Sequence, residues 1–295
     1  MKAWVRRNLS YSARLLIVLL AATLSMLPII FIIANSFMGG AEAAARYTSQ
    51  ITAHNWFGTI NGEIHYFDMT ILPGVFSMSA WRQALIESPE NLRYLWNSLI
   101  LAVPIVLGQL VVAPLAAYGF ERAKARHKEK LYFAYIIIML LPMQALLVPH
   151  FIAANYLRIN RSPLAIILPA VFAPFGVFLV RQQMKGFKRE LIEAAKLDGA
   201  RELTVFRRIV IPNIKPTITV LAVLAFAEAW NIVDQAVVFI QDAHALPMSV
   251  HLSAKLTGDI GVIFALSTLF MIPALAVFVY GVDNLGDGLG YAGRK

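Results

Sequence analysis

The 295-residue chain contains no cysteine. Disulfides, thiolate zinc sites, iron–sulfur clusters and thiol catalysis are therefore excluded. Charge is also scarce: 15% of residues are charged, against about 25% in an ordinary soluble domain. Hydrophobic residues make up 59%, and the mean hydropathy is +0.65. Neither G-x-x-x-x-G-K-[ST] nor G-x-G-x-x-G occurs, so the chain carries no recognisable nucleotide pocket of its own. The six histidines are dispersed, with no H-E-x-x-H pair for a hydrolytic metal. Charge of one sign does prevail: 26 Lys and Arg against 17 Asp and Glu, a net +9. Such a balance points to nucleic acid or to a membrane surface, and the placement of the positive residues decides between them.

The apolar residues fall in long runs. No charged residue lies between Arg14 and Glu42, Arg93 and Glu121, Lys130 and Arg158, Arg161 and Arg181, or Asp259 and Asp283. A sixth run, from Pro216 to Gln241, is interrupted only by Glu228 and Asp234. About 20 apolar residues are needed to cross roughly 30 Å of hydrocarbon. The sequence predicts an all-α polytopic membrane protein with spans over about 15–38, 95–120, 131–156, 162–180, 216–240 and 260–282. The whole of 1–295 is read as one transmembrane domain. Alternating segments of the β-barrel kind are missing. Pro28, Pro104, Pro114, Pro142, Pro149, Pro169, Pro174 and Pro273 fall in spans, where neighbouring helices or cavity water must satisfy the freed carbonyls.

Twenty of the Lys and Arg sit in the N-terminal segment, in 121–130, in 181–215 and at the C-terminal end; six sit in the alternate loops. Positive residues favour the cytoplasmic side, so both termini are expected there. The basic balance is then topology, and nucleic-acid binding loses its support. The first run is longer than a typical signal-peptide core, with Pro28 in its middle. It is read as an uncleaved span; processing would fall near Ala41 to Ala45.

The external loop 42–93 is rich in aromatics (Tyr47, Trp56, Phe57, Tyr66, Phe67, Phe76, Trp81) and reads as a cap on the bundle or a docking surface. The cytoplasmic loop 181–215 is too long for a simple turn. It reads as two short helices. Leu191, Ile192, Ala194, Ala195 and Leu197 give the first an apolar side; Leu203, Phe206, Ile209 and Val210 do so for the second. Gly199 can end the first, and Pro212 and Pro216 stop the second. Such a pair fits either another protein's groove or the lipid headgroups.

Within the spans, Glu228 and Asp234 each cost about 2.5–3.5 kcal/mol in lipid and so must face the bundle or a polar path. Trp230 and Asn231 beside them, and Gln144, His150, Asn155 and Tyr156 in the third span, are further candidate path residues.

Residues 193–212 read EAAKLDGARELTVFRRIVIP. This resembles the EAA loop of ABC importer permeases, E-A-A-x3-G-x9-I-x-L-P: Glu193, Ala194, Ala195, Gly199, Ile209 and Pro212 match, with Ile211 in place of leucine. Asp198 before Gly199 resembles the carbohydrate branch. Asn97-Ser98-Leu99, the run Leu115 to Arg122, and Trp230-Asn231 also resemble maltose-type sugar permeases. The C-terminal DNLGDGLGYAGRK departs from the usual tail of that branch and is somewhat like peptide permease tails.

The resemblance implies a type I ABC importer permease-like bundle in the bacterial plasma (inner) membrane. It implies a second permease subunit, expected to form a heterodimer with this chain, two ATPase subunits that bind ATP and Mg, and an external or periplasmic solute-binding protein. No cofactor is expected in this chain. Glu193, Ala194, Ala195, Asp198, Gly199, Ile209 and Pro212 would couple to the ATPase, and a saccharide would be the solute. A permease for peptide or another polar solute is the alternative within the class. A secondary transporter would need ion-coupling acids or a detectable inverted repeat, and no such repeat is visible.

Overall fold

The computed structural model describes residues 2–48, 59–60, 63–64, 70–186, 189–254 and 259–290. The elements are helices, apart from a two-residue antiparallel ladder pairing β1 (Thr59–Ile60) with β2 (Glu63–Ile64) in the segment read as external. Four helical stretches are long and apolar enough to cross a membrane: Arg14–Asn35, Glu90–Arg122, Leu164–Lys185 and Ile260–Gly281. Two bent pairs bring the number to six when each pair counts as one span.

In chain order the helices are α1 (Lys2–Asn35), α2 (Gly40–Ala43), α3 (Ser79–Arg82), α4 (Glu90–Arg122), α5 (Lys128–Met139) and α6 (Met143–Tyr156). Then come α7 (Leu164–Val171), α8 (Pro174–Lys185), α9 (Arg189–Leu197), α10 (Glu202–Asn213) and α11 (Lys215–Trp230). Last are α12 (Asp234–Phe239), α13 (Met248–Ala254) and α14 (Ile260–Gly290).

The chain divides into two compact units. One comprises Met1–Asn91 with Leu252–Met271. The most apolar stretch of its span Arg14–Asn35 has no fully buried residue within the chain, so lipid or another chain must cover most of it. Beyond it, Met38, Ala43 and Tyr47 pack with Phe31, Ile260 and Phe264. The Glu42 carboxylate accepts the Gly74 and Val75 N–H groups at 2.7 and 3.1 Å and pairs with Arg46 at 2.8 Å. The Gly74 bond, reinforced by Val75 and Arg46 against a smaller effect of burial, holds the carboxyl below the ordinary range. The Trp81 indole N–H donates to Ser36 Oγ at 3.2 Å, and Phe37 stacks on Phe76 at 5.0 Å. Trp56, Phe57, Tyr66 and Phe67 lie outside the described residues.

The second unit comprises Leu92–His251 with Ile272–Lys295. Small residues bring its helices together, as membrane interfaces favour. A side chain at Gly108 would come within 2.4 Å of the Val171 side chain, and one at Gly176 within 3.1 Å of Ala113 and Leu221. Pro174 lacks the N–H that would bond the Ala170 carbonyl. The buried Gln109 amide supplies that donor at 2.9 Å, and the Tyr135 hydroxyl donates to the Phe172 carbonyl at 2.9 Å. The break between α7 and α8 is thus satisfied from neighbouring helices.

Several boundaries differ from the sequence expectation. The run 131–156 is no straight span: α5 and α6 meet at 106°, with Pro142 extended (ψ 138°) at the start of α6 and the residue before it barred from helical backbone. The helix expected over 216–240 stops at Trp230. The helix expected to end near 180 continues to Lys185, so Arg181 is not a loop residue. It is 1% exposed, 2.6 Å from Glu129 and 3.6 Å from Glu121, with its guanidinium 3.8 Å over the Tyr132 ring.

Candidate functional site

Residues 189–213 form two helices joined at a sharp bend. At the end of α9 the Gly199 N–H bonds the Lys196 carbonyl at 3.0 Å and the Ala200 N–H bonds the Ala195 carbonyl at 2.9 Å. This pair of bonds is the Schellman termination, which needs a left-handed residue. Gly199 supplies it at φ +80°. Open space surrounds Gly199, so glycine is required there by the backbone and not by crowding. α10 contains a π turn, Phe206–Val210, in which the Ile211 N–H reaches the Phe206 carbonyl. The sequence predicts that Pro212 stops this helix; instead the helix runs through Pro212 to Asn213, and the 74° bend comes at Ile214.

The underside of the pair is seated on the spans. Ile192, Val205, Phe206, Val210 and Ile214 are buried with Ala113, Ala117, Val177, Val180, Met184 and Leu221. Each such side chain contributes at most about 1.5–3 kcal/mol, an upper figure because the unfolded chain is itself partly compact. Ala195 and Ile209 pack against the same cluster. The outer side is different. Leu191, Ala194 and Leu203 are exposed, Leu197 is 90% exposed, and Glu193, Asp198 and Pro212 are also open. The apolar side expected for α9 is therefore divided: Ile192 and Ala195 face the protein, while Leu191, Ala194 and Leu197 do not.

One acid ties the two helices to α4. Glu202 accepts from Lys196 Nζ at 2.5 Å, from the Tyr118 hydroxyl at 2.5 Å and from Arg122 at 3.4 Å. The Lys196 bond, followed by that from Tyr118, outweighs burial and lowers its carboxyl to about 2. Sequence reading missed Glu202, since Tyr118 lies 84 residues away.

The second unit also encloses a cavity of about 390 Å³. Its polar lining comes from Gln109, His150, Glu228, Asn231, Asp234 and Gln235; no Lys or Arg lines it. The backbone explains its position. At about 1.5 Å per residue, the 16 residues of α11 span roughly 24 Å, short of the hydrocarbon thickness. Non-helical backbone at that depth survives only where protein or a water-filled cavity receives it. The break at 231–233 is part of the cavity wall. The Asn231 amide donates to the Ala227 carbonyl at 2.8 Å, and Ser249 Oγ donates to the Ile232 carbonyl at 2.5 Å.

Of the predicted path residues, His150, Glu228, Asn231 and Asp234 thus line one cavity, and Gln144 reaches it by donating to Asp234 at 3.1 Å. Three others do not line it. Trp230 is 1% exposed and stacks on Phe226 at 5.1 Å, so it is a packing aromatic and not an open stacking face. Tyr156 is 88% exposed at the end of α6, and the Asn155 side chain bonds Asn160. Gln109 and Gln235 were not foreseen. Among the described residues no group of His, Asp and Glu is placed to hold a metal.

Comparison with known proteins identifies the family and the fold. The family described as "Binding-protein-dependent transport system inner membrane component" matches residues 90–291. The chain is 27% identical over 281 residues to the lactose transport system permease protein LacG of Rhizobium radiobacter, covering 94% of each. It is 26% identical over 215 residues to the arabinooligosaccharides transport system permease protein AraQ of Halalkalibacterium halodurans, covering 71% of this chain and 77% of that one. It is 31% identical over 189 residues to the osmoprotective compounds uptake permease protein GgtD of Synechocystis, covering 62% and 63%. A chain from the crystal structure of a bacterial ABC transporter involved in the import of the acidic polysaccharide alginate shares the fold. The TM-score is 0.74 at 20% identity, over 94% of this chain and 97% of that chain. With its apolar spans and a family match over more than half its length, the chain is a multi-pass membrane protein and belongs to the inner membrane components of binding-protein-dependent transport systems.

Proposed function

We propose that this chain is one permease half of an ATP-driven importer in the bacterial plasma membrane, carrying a carbohydrate, in particular an oligosaccharide, into the cytoplasm. Relatives named for lactose and arabinooligosaccharide transport support the solute class. Uniform placement of Lys and Arg supports cytoplasmic termini and a cytoplasmic 189–213 pair. A second permease subunit would complete the path, two ATPases holding ATP and Mg would supply the free energy, and an external binding protein would deliver the solute.

The observation that carries the reading is the divided bend at 189–213. Its underside is fixed to the spans, while Leu191, Ala194 and Leu197 stand open. An ATPase groove would cover that apolar edge, with Glu193 and Asp198 at its margin. Ala194, exposed and small, is where the partner would approach closely. The path would run by Glu228, Asn231 and Asp234, whose hydrogen-bonding groups suit hydroxyls and whose charge does not suit anions. Purification of the chain with its neighbours should yield an ATPase in stoichiometric amount, and Ala194→Trp should abolish that association without reducing membrane insertion. Retention of the ATPase by Ala194→Trp would refute docking at this edge. A second reading, another polar solute, is favoured by the relative named for osmoprotective compounds; the ligand carried by the cognate binding protein decides between the two.

A further inference from the structure

The coupling reading requires a rigid link between the bent pair and a span, and hydrophobic seating alone is a weak link for that purpose. Apolar contacts are non-directional. Seating on Val180 and Leu221 holds the pair against the spans but does not by itself set the angle between α9 and α10. The described residues contain one polar node between the pair and a span. Glu202, the first residue of α10, receives Lys196 from α9 on one oxygen and Tyr118 from α4 on the other, while Arg122 from α4 lies 3.4 Å from the first oxygen. The Lys196 bond crosses the Gly199 bend, so it sets the angle between α9 and α10. The bonds from Tyr118 and Arg122 reach the inner end of a 33-residue helix that passes through the unit and contributes Ile105 and Gln109 to the cavity wall. Phe206, one turn after Glu202, leans on the Tyr118 ring at 5.1 Å. Charge-assisted bonds of this kind are directional; with Glu202 about half exposed they add little stability, and what they contribute is a fixed angle.

We propose that Glu202 is the positioning residue that makes the bent pair and the inner end of α4 move as one body, so that motion imposed on α9 by the ATPase is delivered to the cavity through α4. This rests on the coupling reading above and adds its route.

The lack of cysteine makes the test direct. Spin labels are placed at Lys124→Cys, just past α4, and Arg207→Cys, on the open side of α10, in the assembled transporter with reactive cysteines removed from its other chains. The probe is ATP with vanadate, compared with the nucleotide-free state. With Glu202 present, the distance between the labels is expected to be the same in both states. In Glu202→Gln a shift appears on trapping with vanadate, while the nucleotide-free distance stays as before; Glu202→Asp suppresses that shift. The coupling that is lost corresponds to about fivefold or more in an equilibrium between states. A shift already present with Glu202 intact would overturn the proposal, and so would Glu202→Gln without any shift. Broadening in both states alike would show a merely structural brace and also overturn it. Failure of the wild-type chain to retain an ATPase would instead strike the functional reading itself, before any label is placed.

Discussion

Two acidic sites in the same unit are built on opposite principles. Glu202 has every strong partner it needs within its own chain: an ammonium, a phenol and a guanidinium gather around one carboxylate. Glu228 and Asp234 stand at a helix break beside an open volume, with Gln144 donating to Asp234. The first arrangement fixes a geometry. The second leaves hydrogen-bonding capacity free for whatever enters. A carboxylate in hydrocarbon is tolerated only when it faces a polar path or a partner, so the cavity acids are costly in the isolated chain, whereas the Glu202 node is complete. Under the proposed function, the difference separates a part suited to transmitting force from a part suited to receiving solute.

The largest expected effect tests the transmitting part. Gly199→Leu places a branched side chain at φ +80°, where a non-glycine residue costs about 1–2 kcal/mol even with open space around it. The bend opens, and α9 no longer presents its outer edge at the right angle. Transport should fall by at least about tenfold, since 1.4 kcal/mol is tenfold in an equilibrium, while the amount of inserted chain stays near normal. Gly199→Asn, which tolerates the left-handed region better, should recover most of the loss. Equal defects in the two variants would place the fault in side-chain bulk.

Next in size is the packing beneath both sites. Gly108→Ala puts a methyl group 2.4 Å from Val171, an overlap that calls for a shift costing roughly 1–3 kcal/mol. Gln109→Leu removes a donor from the Ala170 carbonyl; the Ala173 N–H still reaches that carbonyl at 3.1 Å, so the cost should be about 1 kcal/mol. Thermal unfolding in detergent checks both, with Gly108→Ala the more damaging.

A pH series sharpens the comparison further. The Glu202 carboxyl is lowered from 4.5 to about 2. A lowered folded-state value means that the unfolded chain takes up the proton first. The stability it contributes is therefore complete above about pH 4.5 and fades as pH falls through about 2. The difference in unfolding midpoint between the wild type and Glu202→Gln should be constant from pH 8 to pH 5 and shrink only in more acid solution. A difference that shrinks between pH 7 and pH 6 would contradict the bonding described for Glu202.

What the sequence made legible was local. Charge-free runs located the helical spans, and Gly199 marked the break between two helices, because glycine acts on its own backbone. What it concealed was distant or collective. Tyr118 meets Glu202 across 84 residues, and Gln109 meets Ala170 across 61; neither pair leaves a periodic trace. Trp230 looked like an aromatic on the path because it adjoins Asn231, yet one residue along a helix is a turn of about 100°, enough to carry it into the core. The π turn at Phe206–Val210 has no composition signal, and it explains why Pro212 fails to end its helix. The 106° size of the bend between α5 and α6 was hidden too: Pro142 marks a kink, but proline fixes only its own φ and not the angle between two helices.

The smallest expected effect is at the cavity acids. Asp234→Asn keeps an oxygen to accept from Gln144 and removes one charge from an exposed position. Relieving a charge that is costly at that depth should not lower stability, so assembly and basal ATP hydrolysis should be unchanged. Glu228→Gln should behave likewise. Solute uptake is the quantity that separates them from Glu202: a cavity lined by acids and free of Lys and Arg holds anions poorly, and neutralising both acids should relax discrimination against an anionic saccharide while leaving a neutral one nearly as before. If the double substitution instead disturbed nucleotide-driven motion as much as Glu202→Gln does, the two sites would not be distinct in kind, because an acid that matters only to the passing solute has no lever to hold.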